Sequence, residues 1–252
     1  MRTIAVIQAR MGSTRLPGKI LEPIEGQPLI GWTIAAVREV AGVDDIVLAT
    51  SDRSEDNRVA ELMATLGVRV HRGSAHDVLG RVADAVRPLA PDVVLRQTGD
   101  NPFVSPEIMA AQLARLDEGR FDYVGIAGLP LGIGGEAVRA DALWASDREA
   151  TEPADREHVL PFVYARPERF AIGSLAPPPA WRHPRYTVDT TADLAFARAV
   201  AARLPGRRPP AHLAVLEAIL ADDPGLAELN AAIVQRGHRE AEPIQPSGAE
   251  ES

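Results

Sequence analysis

The first apolar run of the sequence leads into a loop whose residue types suit a bound anion. Residues 8–19, QARMGSTRLPGK, hold two glycines, two hydroxyl side chains and the cations Arg10, Arg15 and Lys19. Glycine lets backbone N–H groups approach phosphate oxygens, while arginine and lysine neutralise their charge. Lys19 is the only lysine in a chain that otherwise uses arginine, which indicates a requirement for a compact ammonium. We therefore predict a phosphate-binding loop; the alternative is a solvated basic turn.

This loop does not match two common nucleotide-binding motifs. Gly12 and Gly18 enclose five residues where a Walker A loop has four, and Ile20 stands where Ser or Thr would bind Mg²⁺. No G-x-G-x-x-G dinucleotide motif follows this strand either. A P-loop ATPase and a dinucleotide-dependent dehydrogenase are therefore both disfavoured.

Two aspartates at the ends of predicted strands are the candidate metal ligands. Asp100 follows the run at residues 93–97, and Asp189 lies at the end of the run at residues 185–190. Mg²⁺ prefers one or two carboxylates together with phosphate oxygens and water, so we expect both side chains beside the phosphate-binding loop. Alternatively, Asp100 closes a turn. A helix cap accounts for Thr191 and Asp193, which follow Asp189, but it accounts less well for Asp189 itself.

Two further groups of residues are candidates, each with a structural alternative. Arg72 follows the third predicted strand and could bind a base or a phosphate oxygen, whereas Ser74 and Asp77 after it equally suit helix caps. Glu157 and His158 are adjacent and could act as an acid and a base, but no positioned partner is evident from the sequence.

Short β-rich runs alternate with helix-period stretches through the first half of the chain. Ile30, Ile34, Val37 and Ala41, for example, share one helical face. The alternation predicts an α/β fold with right-handed crossovers and a mainly parallel twisted sheet that has helices on both faces. Ligands of such sheets bind beyond the carboxyl ends of the strands, where the candidate residues lie. The strands are predicted at residues 4–8, 46–50, 68–71, 93–97 and 123–126.

The second half of the chain is punctuated by glycine and proline. We expect an irregular insert over residues 128–184, followed by helical cover. One domain over residues 1–238 should account for the fold, and residues 239–252 should form a disordered tail because they hold too few apolar side chains. The remaining elements are predicted as a strand at residues 185–190, a helix at 192–204 and one or two helices over 212–233.

Composition excludes several classes of protein. The 252 residues are 46% hydrophobic and 25% charged, as in a folded globular chain. A net charge of −8 disfavours nucleic acid or an anionic membrane surface as a partner. The lack of cysteine excludes disulfides and thiolate sites, and no apolar run is long enough to span a membrane. We therefore expect a folded protein in the cytoplasm.

Five pieces of the sequence, taken in order, resemble the cytidylyltransferase family. The first is the most specific, and the resemblance extends over about residues 3–235. The family includes the CMP-sialate and CMP-Kdo synthetases, and the chain is most similar to its spore coat polysaccharide biosynthesis protein F-like branch. The pieces are IQARMGSTRLPGK at 7–19, RGS at 72–74, TGD at 98–100, REHV at 156–159 and TVDT at 187–190.

The resemblance implies a nucleotidyltransferase fold of the GT-A, Rossmann-like kind, with CTP as donor, an acidic acceptor, Mg²⁺ as cofactor and pyrophosphate as product. It also implies a homodimer packed through the middle segment. The catalytic residues it implies are Arg10, Arg15, Lys19, Asp100 and Asp189, of which Asp100 and Asp189 bind the metal. The remaining assignments are Ala9, Arg10, Gly12, Ser13, Lys19, Arg72 and Gln97 for the nucleotide, and Glu136, Glu157 and His158 for the acceptor.

One departure from the family pattern leaves the acceptor open. Relatives in this branch carry a stretch resembling D-G-L-D-V-E, whereas residues 131–136 read LGIGGE and keep Glu136 without either aspartate. We expect the acceptor to be a sugar acid or another carboxylate or phosphonate. Two other hypotheses stay open. One is a GT-A-like glycosyltransferase, which the absence of D-x-D around Asp100 disfavours, and the other is a catalytically inactive nucleotide-binding protein.

Overall fold

A mixed β-sheet of seven strands forms the centre of the fold. The computed structural model describes residues 1–127, 129–175 and 185–233. Within them the strands are β1 (Thr3–Gln8), β2 (Pro23–Ile24), β3 (Gln27–Pro28), β4 (Asp45–Ser51), β5 (Arg69–Gly73), β6 (Val93–Thr98), β7 (Tyr123–Gly125), β8 (Glu136–Arg139) and β9 (Ile172–Ser174). The sheet order is β5-β4-β1-β6-β8-β7-β9, and only β8 runs antiparallel to its neighbours; β2 and β3 form a separate hairpin.

Helices cover both faces of the sheet. They are α1 (Leu29–Arg38), α2 (Asn57–Thr65), α3 (Val78–Val86), α4 (Pro106–Glu118), α5 (Ala140–Glu149), α6 (Pro153–His158), α7 (Pro161–Tyr164), α8 (Thr191–Ala201), α9 (Leu213–Asp222) and α10 (Gly225–Glu228). Along β1, Ile4 and Val6 face α3, α5 and α7, while Ala5 and Ile7 face α1, α2 and α4. This alternation follows from the two-residue period of a strand.

A cluster of buried aromatic rings joins the C-terminal helices to the rim of the sheet. Trp32 on α1, Phe103, Tyr186 and Phe196 on α8 form a chain of rings whose neighbouring centroids are 6.0 to 6.4 Å apart. Aromatic pairs in edge-on or tilted contact contribute both buried area and directional attraction. The cluster therefore holds the backbone around Tyr186 against the turn that follows β6.

The prediction of a strand at residues 185–190 is wrong. The segment makes backbone contacts with turns rather than with a strand: Arg185 pairs with Leu131 in an isolated bridge, and the Val188 N–H donates to the Asp100 carbonyl oxygen at 2.9 Å. Its β-rich composition predicts an extended backbone correctly but does not specify the partner. The consequence is that Asp189 lies next to Asp100 without belonging to the sheet.

The middle of the chain is more regular than the sequence indicates. The expected irregular insert at residues 128–184 contains β8, α5, α6, α7 and β9. Strand β8 has only four residues and ends in the charged side chains Glu136 and Arg139, so it lacks the apolar pattern of the parallel strands. The mainly parallel sheet with helices on both faces is confirmed.

The C-terminal helices lie where the sequence places them. The helix predicted at residues 192–204 is α8, and those predicted over 212–233 are α9 and α10. The tail predicted at residues 239–252 lies outside the described residues, and the single domain over 1–238 stays a prediction. In the three described stretches, no helix combines the length and apolar character needed to cross a membrane.

A buried glutamine holds β7 and β8 together from α4. Gln112 Nε2 donates to the carbonyl oxygens of Gly125 at 3.1 Å and Gly135 at 2.6 Å, and its Oε1 accepts the Gly135 N–H at 3.0 Å. A Cβ at position 135 would lie 3.0 Å from the Arg96 carbonyl oxygen, which is closer than side chains usually come to a backbone atom, so the site favours glycine. Gln112 thus supplies hydrogen bonds that the short antiparallel strand does not supply itself.

We expect Gln112→Leu to lower the free energy of unfolding by about 3 kcal/mol, because buried backbone groups of Gly125 and Gly135 lose their partners. Urea denaturation followed by circular dichroism measures this change. Ala114→Leu, on the exposed side of the same helix, serves as the control and should change the value by no more than about 0.5 kcal/mol. A Gln112→Leu protein as stable as the control would contradict the assignment.

Candidate active site

A cleft of about 870 Å³ opens at the carboxyl ends of β1 and β6 and extends across β8, β7 and β9. This is the usual ligand position in open α/β sheets. All but one of the residues predicted to bind nucleotide, metal or acceptor lie in its wall. They are Ala9, Arg10, Gly12, Ser13, Arg15, Lys19, Gln97, Asp100, Glu136, Glu157, His158 and Asp189.

The ammonium of Lys19 lies between the two predicted metal ligands. Lys19 Nζ donates to Asp100 Oδ2 at 2.6 Å, to Asp189 Oδ1 at 2.8 Å and to the Val188 carbonyl oxygen at 2.8 Å. The lysine is 8% exposed, so these contacts are largely shielded from water. Three regions that are far apart in the sequence therefore converge on one nitrogen atom.

The ammonium and the carboxylates favour each other's charged forms. Burial alone would lower the pKa of Lys19, but the neighbouring carboxylates of Asp100 and Asp189 raise it above its usual value. Burial likewise opposes ionisation of Asp100, yet Lys19 and a hydrogen bond from Thr98 lower the pKa of this carboxyl. Opposite charges at hydrogen-bond distance explain both directions. Lys19 and Asp100 therefore both stay charged at neutral pH.

Asp189 is held by cations at both of its oxygens. Arg15 Nη2 lies 3.0 Å from Asp189 Oδ1, the atom that also contacts the ammonium. On the other side, Arg185 Nη2 donates to Asp189 Oδ2 at 2.9 Å, and its Nε donates to Asp193 Oδ1 at 2.8 Å. Asp193 also forms the capping box of α8 with Thr190. The start of this helix thus fixes Arg185, and Arg185 fixes Asp189.

The backbone of Met11 closes the loop after β1. Its carbonyl oxygen accepts the N–H groups of Ser13 at 2.9 Å and Gly18 at 3.0 Å, and its own N–H donates to Asp56 Oδ1 at 2.6 Å. Asp56 is fully buried, and its Oδ2 also accepts the Ser51 N–H. Asp56 was not among the predicted site residues, because an acidic residue just before a helix usually indicates only a favourable helix terminus.

A second residue missed by the sequence analysis is Arg81 on α3, which lines the cleft although it is 3% exposed. Its Nη1 donates to the Ser74 carbonyl oxygen. Burial and the nearby Arg10 guanidinium lower the pKa of Arg81 to about 10, so it stays protonated at neutral pH. Two neighbouring arginines on one wall repel each other, and a bound anion relieves that repulsion.

Arg96 and Glu136 form an ion pair across β6 and β8 at the other end of the cleft. Arg96 Nε donates to Gln8 Oε1 at 2.8 Å, and the Tyr123 hydroxyl donates to Glu136 Oε1 at 2.6 Å. Burial, and then the charge of Glu136, raises the pKa of Tyr123, so its hydroxyl stays protonated as the donor. The network links four neighbouring strands and presents a rigid polar wall to the cleft.

Glu157 and His158 reach the cleft from α6, which is attached to α3 by its arginine. Arg156 Nε donates to Asp77 Oδ1 at 2.8 Å, and Arg156 Nη2 lies 3.2 Å from Asp147 Oδ1. Asp77 caps α3 by accepting a hydrogen bond from the Gly80 N–H. The prediction that Asp77 is a helix cap is therefore confirmed. Glu157 and His158 thus line the cleft, whereas Arg156 attaches α6 to α3 and α5.

Arg72 does not line the cleft. Its guanidinium donates to the carbonyl oxygens of Ser51 at 3.1 Å and Arg53 at 2.8 Å and to Asn57 Oδ1 at 2.6 Å. These contacts hold the loop between β4 and α2 against the edge strand β5. The geometry therefore gives no support to the predicted contact of Arg72 with a nucleotide.

Asp100 and Asp189 supply carboxylate oxygens, which are the ligands that a hard divalent cation prefers. One oxygen of each side chain already contacts the same cationic group, the Lys19 ammonium. In the described residues no cluster of three or more His, Asp or Glu side chains has the arrangement of a metal site. The pair alone therefore offers only part of a coordination shell. It fits an ion that arrives with phosphate oxygens and water, which is the usual mode for Mg²⁺.

Comparison with known proteins relates the chain to one family. A family model described as cytidylyltransferase matches residues 4–212. The spore coat polysaccharide biosynthesis protein SpsF of Bacillus subtilis is 37% identical over 230 residues, which are 88% of this chain and 95% of that protein. A 3-deoxy-manno-octulosonate cytidylyltransferase of Anaeromyxobacter dehalogenans is 38% identical over 122 residues, 47% of this chain and 49% of that protein.

Solved structures agree with this relation at the level of the fold. A cytidylyltransferase from Leptospira borgpetersenii superposes with a TM-score of 0.83 at 26% identity, covering 93% of this chain and all of that one. A CMP:2-keto-3-deoxy-manno-octonic acid synthetase in complex with CTP gives a TM-score of 0.63 at 22% identity, covering 80% of this chain and 99% of that one.

We expect Asp193→Asn to lower the free energy of unfolding by about 3 kcal/mol at neutral pH, because Arg185 loses a buried charged partner. Burial opposes the charge of Asp193, but Arg185 and Asn230 lower its pKa to about 2. The stabilisation is therefore complete above the usual carboxyl pKa and is lost as the pH falls toward 2. Urea denaturation of both proteins from neutral to acid pH measures the difference.

Asp222→Asn provides a matched control, since Asp222 is exposed on α9. The difference between wild type and Asp193→Asn should shrink below about pH 4, whereas the control should match the wild type throughout. A loss of stability that stays constant down to acid pH would show that the charge of Asp193 is not its source.

Proposed function

The chain belongs to the cytidylyltransferase family, whose members are nucleotidyltransferase enzymes, and we propose that it transfers CMP from CTP to an acidic acceptor with release of pyrophosphate. The observation that carries this proposal is the meeting of Asp100 and Asp189 at the Lys19 ammonium, beside the arginine-rich loop. Two carboxylates next to a cationic loop suit a nucleoside triphosphate that binds with a divalent ion.

The loop after β1 binds the triphosphate in this proposal. Arg10 and Arg15 are exposed at this end of the cleft, and Gly12 and Ser13 line the same wall. During transfer the negative charge grows on the departing pyrophosphate, and preorganised cations stabilise that charge without rearrangement of solvent. Arg15 and Lys19 have this role, while the nucleoside lies against Ala9 and Gln97 at the ends of β1 and β6.

Enzymes of this family generally depend on a divalent metal ion, and we assign Mg²⁺ to Asp100 and Asp189. When bound there, the ion supplies neutralisation of phosphate charge and polarisation of the reacting oxygens. The protein's own contribution is to hold the two carboxylates at one point. Arg185 orients Asp189 from behind, and the Val188 N–H fixes the backbone of Asp100.

The reaction is an in-line displacement at the α-phosphorus. An oxyanion of the acceptor forms the new bond to phosphorus, and the bond between the α-phosphorus and the bridging oxygen to the β-phosphate breaks. The electron pair of that bond leaves on pyrophosphate. An acceptor that is already ionised needs no strong general base, so most of the catalysis consists of placement and charge neutralisation.

The acceptor lies at the other end of the cleft, beside Glu136, Glu157 and His158. Two relatives have names that refer to spore coat polysaccharide biosynthesis and to a sugar acid, which supports a sugar acid of polysaccharide biosynthesis as the first acceptor to test. Another carboxylate or a phosphonate stays a candidate, because residues 131–136 lack the two aspartates of the branch. A homodimer and a cytoplasmic location stay predictions.

Incubation with CTP, Mg²⁺ and a panel of sugar acids, simple carboxylates and phosphonates tests the proposed reaction. We expect pyrophosphate release that depends on one class of acceptor, together with a CMP conjugate detected by mass spectrometry. A glycosyltransferase, which uses a finished nucleotide sugar, and an inactive nucleotide-binding protein would both leave CTP intact. The absence of pyrophosphate release across the whole panel would therefore contradict the proposal.

We expect Asp100→Asn to reduce kcat by about a thousandfold or more, because the amide removes a charge that acts on the reacting phosphates. Asp141→Asn is the matched control, since Asp141 is exposed on α5 and should leave kcat unchanged. Steady-state pyrophosphate release measures both. Near-wild-type turnover by a folded Asp100→Asn protein would remove Asp100 from the metal site.

A further inference from the structure

We propose that Lys19 occupies the carboxylate pair in the nucleotide-free protein, and that a divalent ion can bind there only after a triphosphate has drawn the ammonium away. The inference rests on the proposed function, because it takes Asp100 and Asp189 as the metal ligands. It adds an order to the binding of the substrate and the ion. Lys19 then has two positions, one on the carboxylates and one on the phosphates.

The ammonium of Lys19 uses its full hydrogen-bond capacity at the carboxylate pair. A lysine Nζ has three N–H groups, and Lys19 directs them to Asp100 Oδ2, Asp189 Oδ1 and the Val188 carbonyl oxygen. No donor is left for a phosphate oxygen in this position. One oxygen of each carboxylate contacts the same nitrogen atom, so the ammonium lies where the two ligands would share an ion.

The charged side chains at the carboxylate pair already balance one another. Lys19, Arg15 and Arg185 contribute three positive charges at the pair, and Asp100, Asp189 and Asp193 contribute three negative charges. A divalent ion added to this neutral cluster would leave two uncompensated positive charges in a shielded site, which is unfavourable. The negative charges of a triphosphate remove that excess. Metal and nucleotide should therefore bind together rather than metal alone.

Lys19 and Arg15 can leave the carboxylate pair more readily than Arg185 can. Arg15 lies within the phosphate-binding loop, and Lys19 is its last residue. The side chain of Arg15 is 30% exposed. The backbone of Lys19 is fixed by its N–H bond to the Leu16 carbonyl oxygen, but its four-carbon stem can rotate. The side chain of Arg185 is 6% exposed and also holds Asp193, so it should stay on Asp189.

Departure of Lys19 and Arg15 toward a triphosphate therefore frees one oxygen of each carboxylate. Asp189 Oδ1 loses both of its cations, Asp100 Oδ2 loses its ammonium contact, and Asp189 Oδ2 keeps Arg185. By linkage, a nucleotide that favours metal binding is itself bound more tightly when the metal is present, by the same factor.

Binding of Mn²⁺ alone, measured by the loss of the free-ion electron paramagnetic resonance signal, tests the inference without any turnover. The nucleotide-free wild type should bind Mn²⁺ weakly, and Lys19→Met should bind it about tenfold or more tightly, because the competing cation is gone. Lys19→Arg is the matched control: it keeps the positive charge and should stay as weak as the wild type. The double variant Lys19→Met/Asp100→Asn should lose the gain.

A second measurement uses only the wild type. Isothermal titration calorimetry should detect CTP binding in the presence of EDTA, whereas Mn²⁺ without CTP should give no comparable binding. This asymmetry tests the order of binding even if Lys19→Met fails to fold, which circular dichroism would reveal. Unfolding scans with Mn²⁺ and CTP, separately and together, should then show stabilisation by the pair that exceeds the effect of either alone.

The outcomes separate this inference from the proposed function. Stoichiometric Mn²⁺ binding to the nucleotide-free wild type, lost in Asp100→Asn and not improved in Lys19→Met, would overturn the inference and leave the metal assignment intact. Failure of Mn²⁺ to bind at Asp100 even with CTP present would instead overturn the proposed metal site. Tight binding only in Lys19→Met or with CTP supports both.

Discussion

The contact of one ammonium with two carboxylates is the interaction on which the site depends. Lys19 Nζ lies within 2.8 Å of both Asp100 and Asp189, and its positive charge offsets the repulsion between two shielded carboxylates that lie side by side. Removing one partner from such a group leaves the others uncompensated. The ion trio therefore couples the loop after β1, the turn after β6 and the start of α8 into one unit.

The rest of the fold positions that unit. Parallel pairing of β1 with β6 brings the loop and the Asp100 turn to the same edge of the sheet, while the aromatic cluster around Tyr186 presses the third segment against them. Asp56 and Gln112 are buried polar residues outside the ion trio that supply backbone hydrogen bonds to the loop and to β8. Such contacts fix geometry because each unsatisfied backbone group would cost free energy.

Local patterns in the sequence explain how much of this could be predicted. The alternation of β-rich runs with helix-period stretches, and the glycines and cations after β1, depend on near neighbours in the chain. The parallel half of the sheet and the loop could therefore be predicted from the sequence. The antiparallel strand β8 could not, because it has only four residues and its first, the charged Glu136, is paired across the sheet with Arg96. The contacts of Arg72 could not be predicted either: its side chain donates hydrogen bonds to the loop between β4 and α2, which only the tertiary structure reveals. Asp56 and Arg81 resemble ordinary helix residues until their burial is known.

Because Lys19 is the only lysine, incorporation of lysine labelled with ¹³C at the ε-carbon gives one side-chain resonance that reports its ionisation. A pH titration of this signal in the nucleotide-free protein tests the central contact most directly. A pKa above that of free lysine, which falls when Asp100 is replaced by Asn, is the expected result. A pKa equal to that of free lysine and insensitive to Asp100 would show that the ammonium lies in solvent, and would contradict the account.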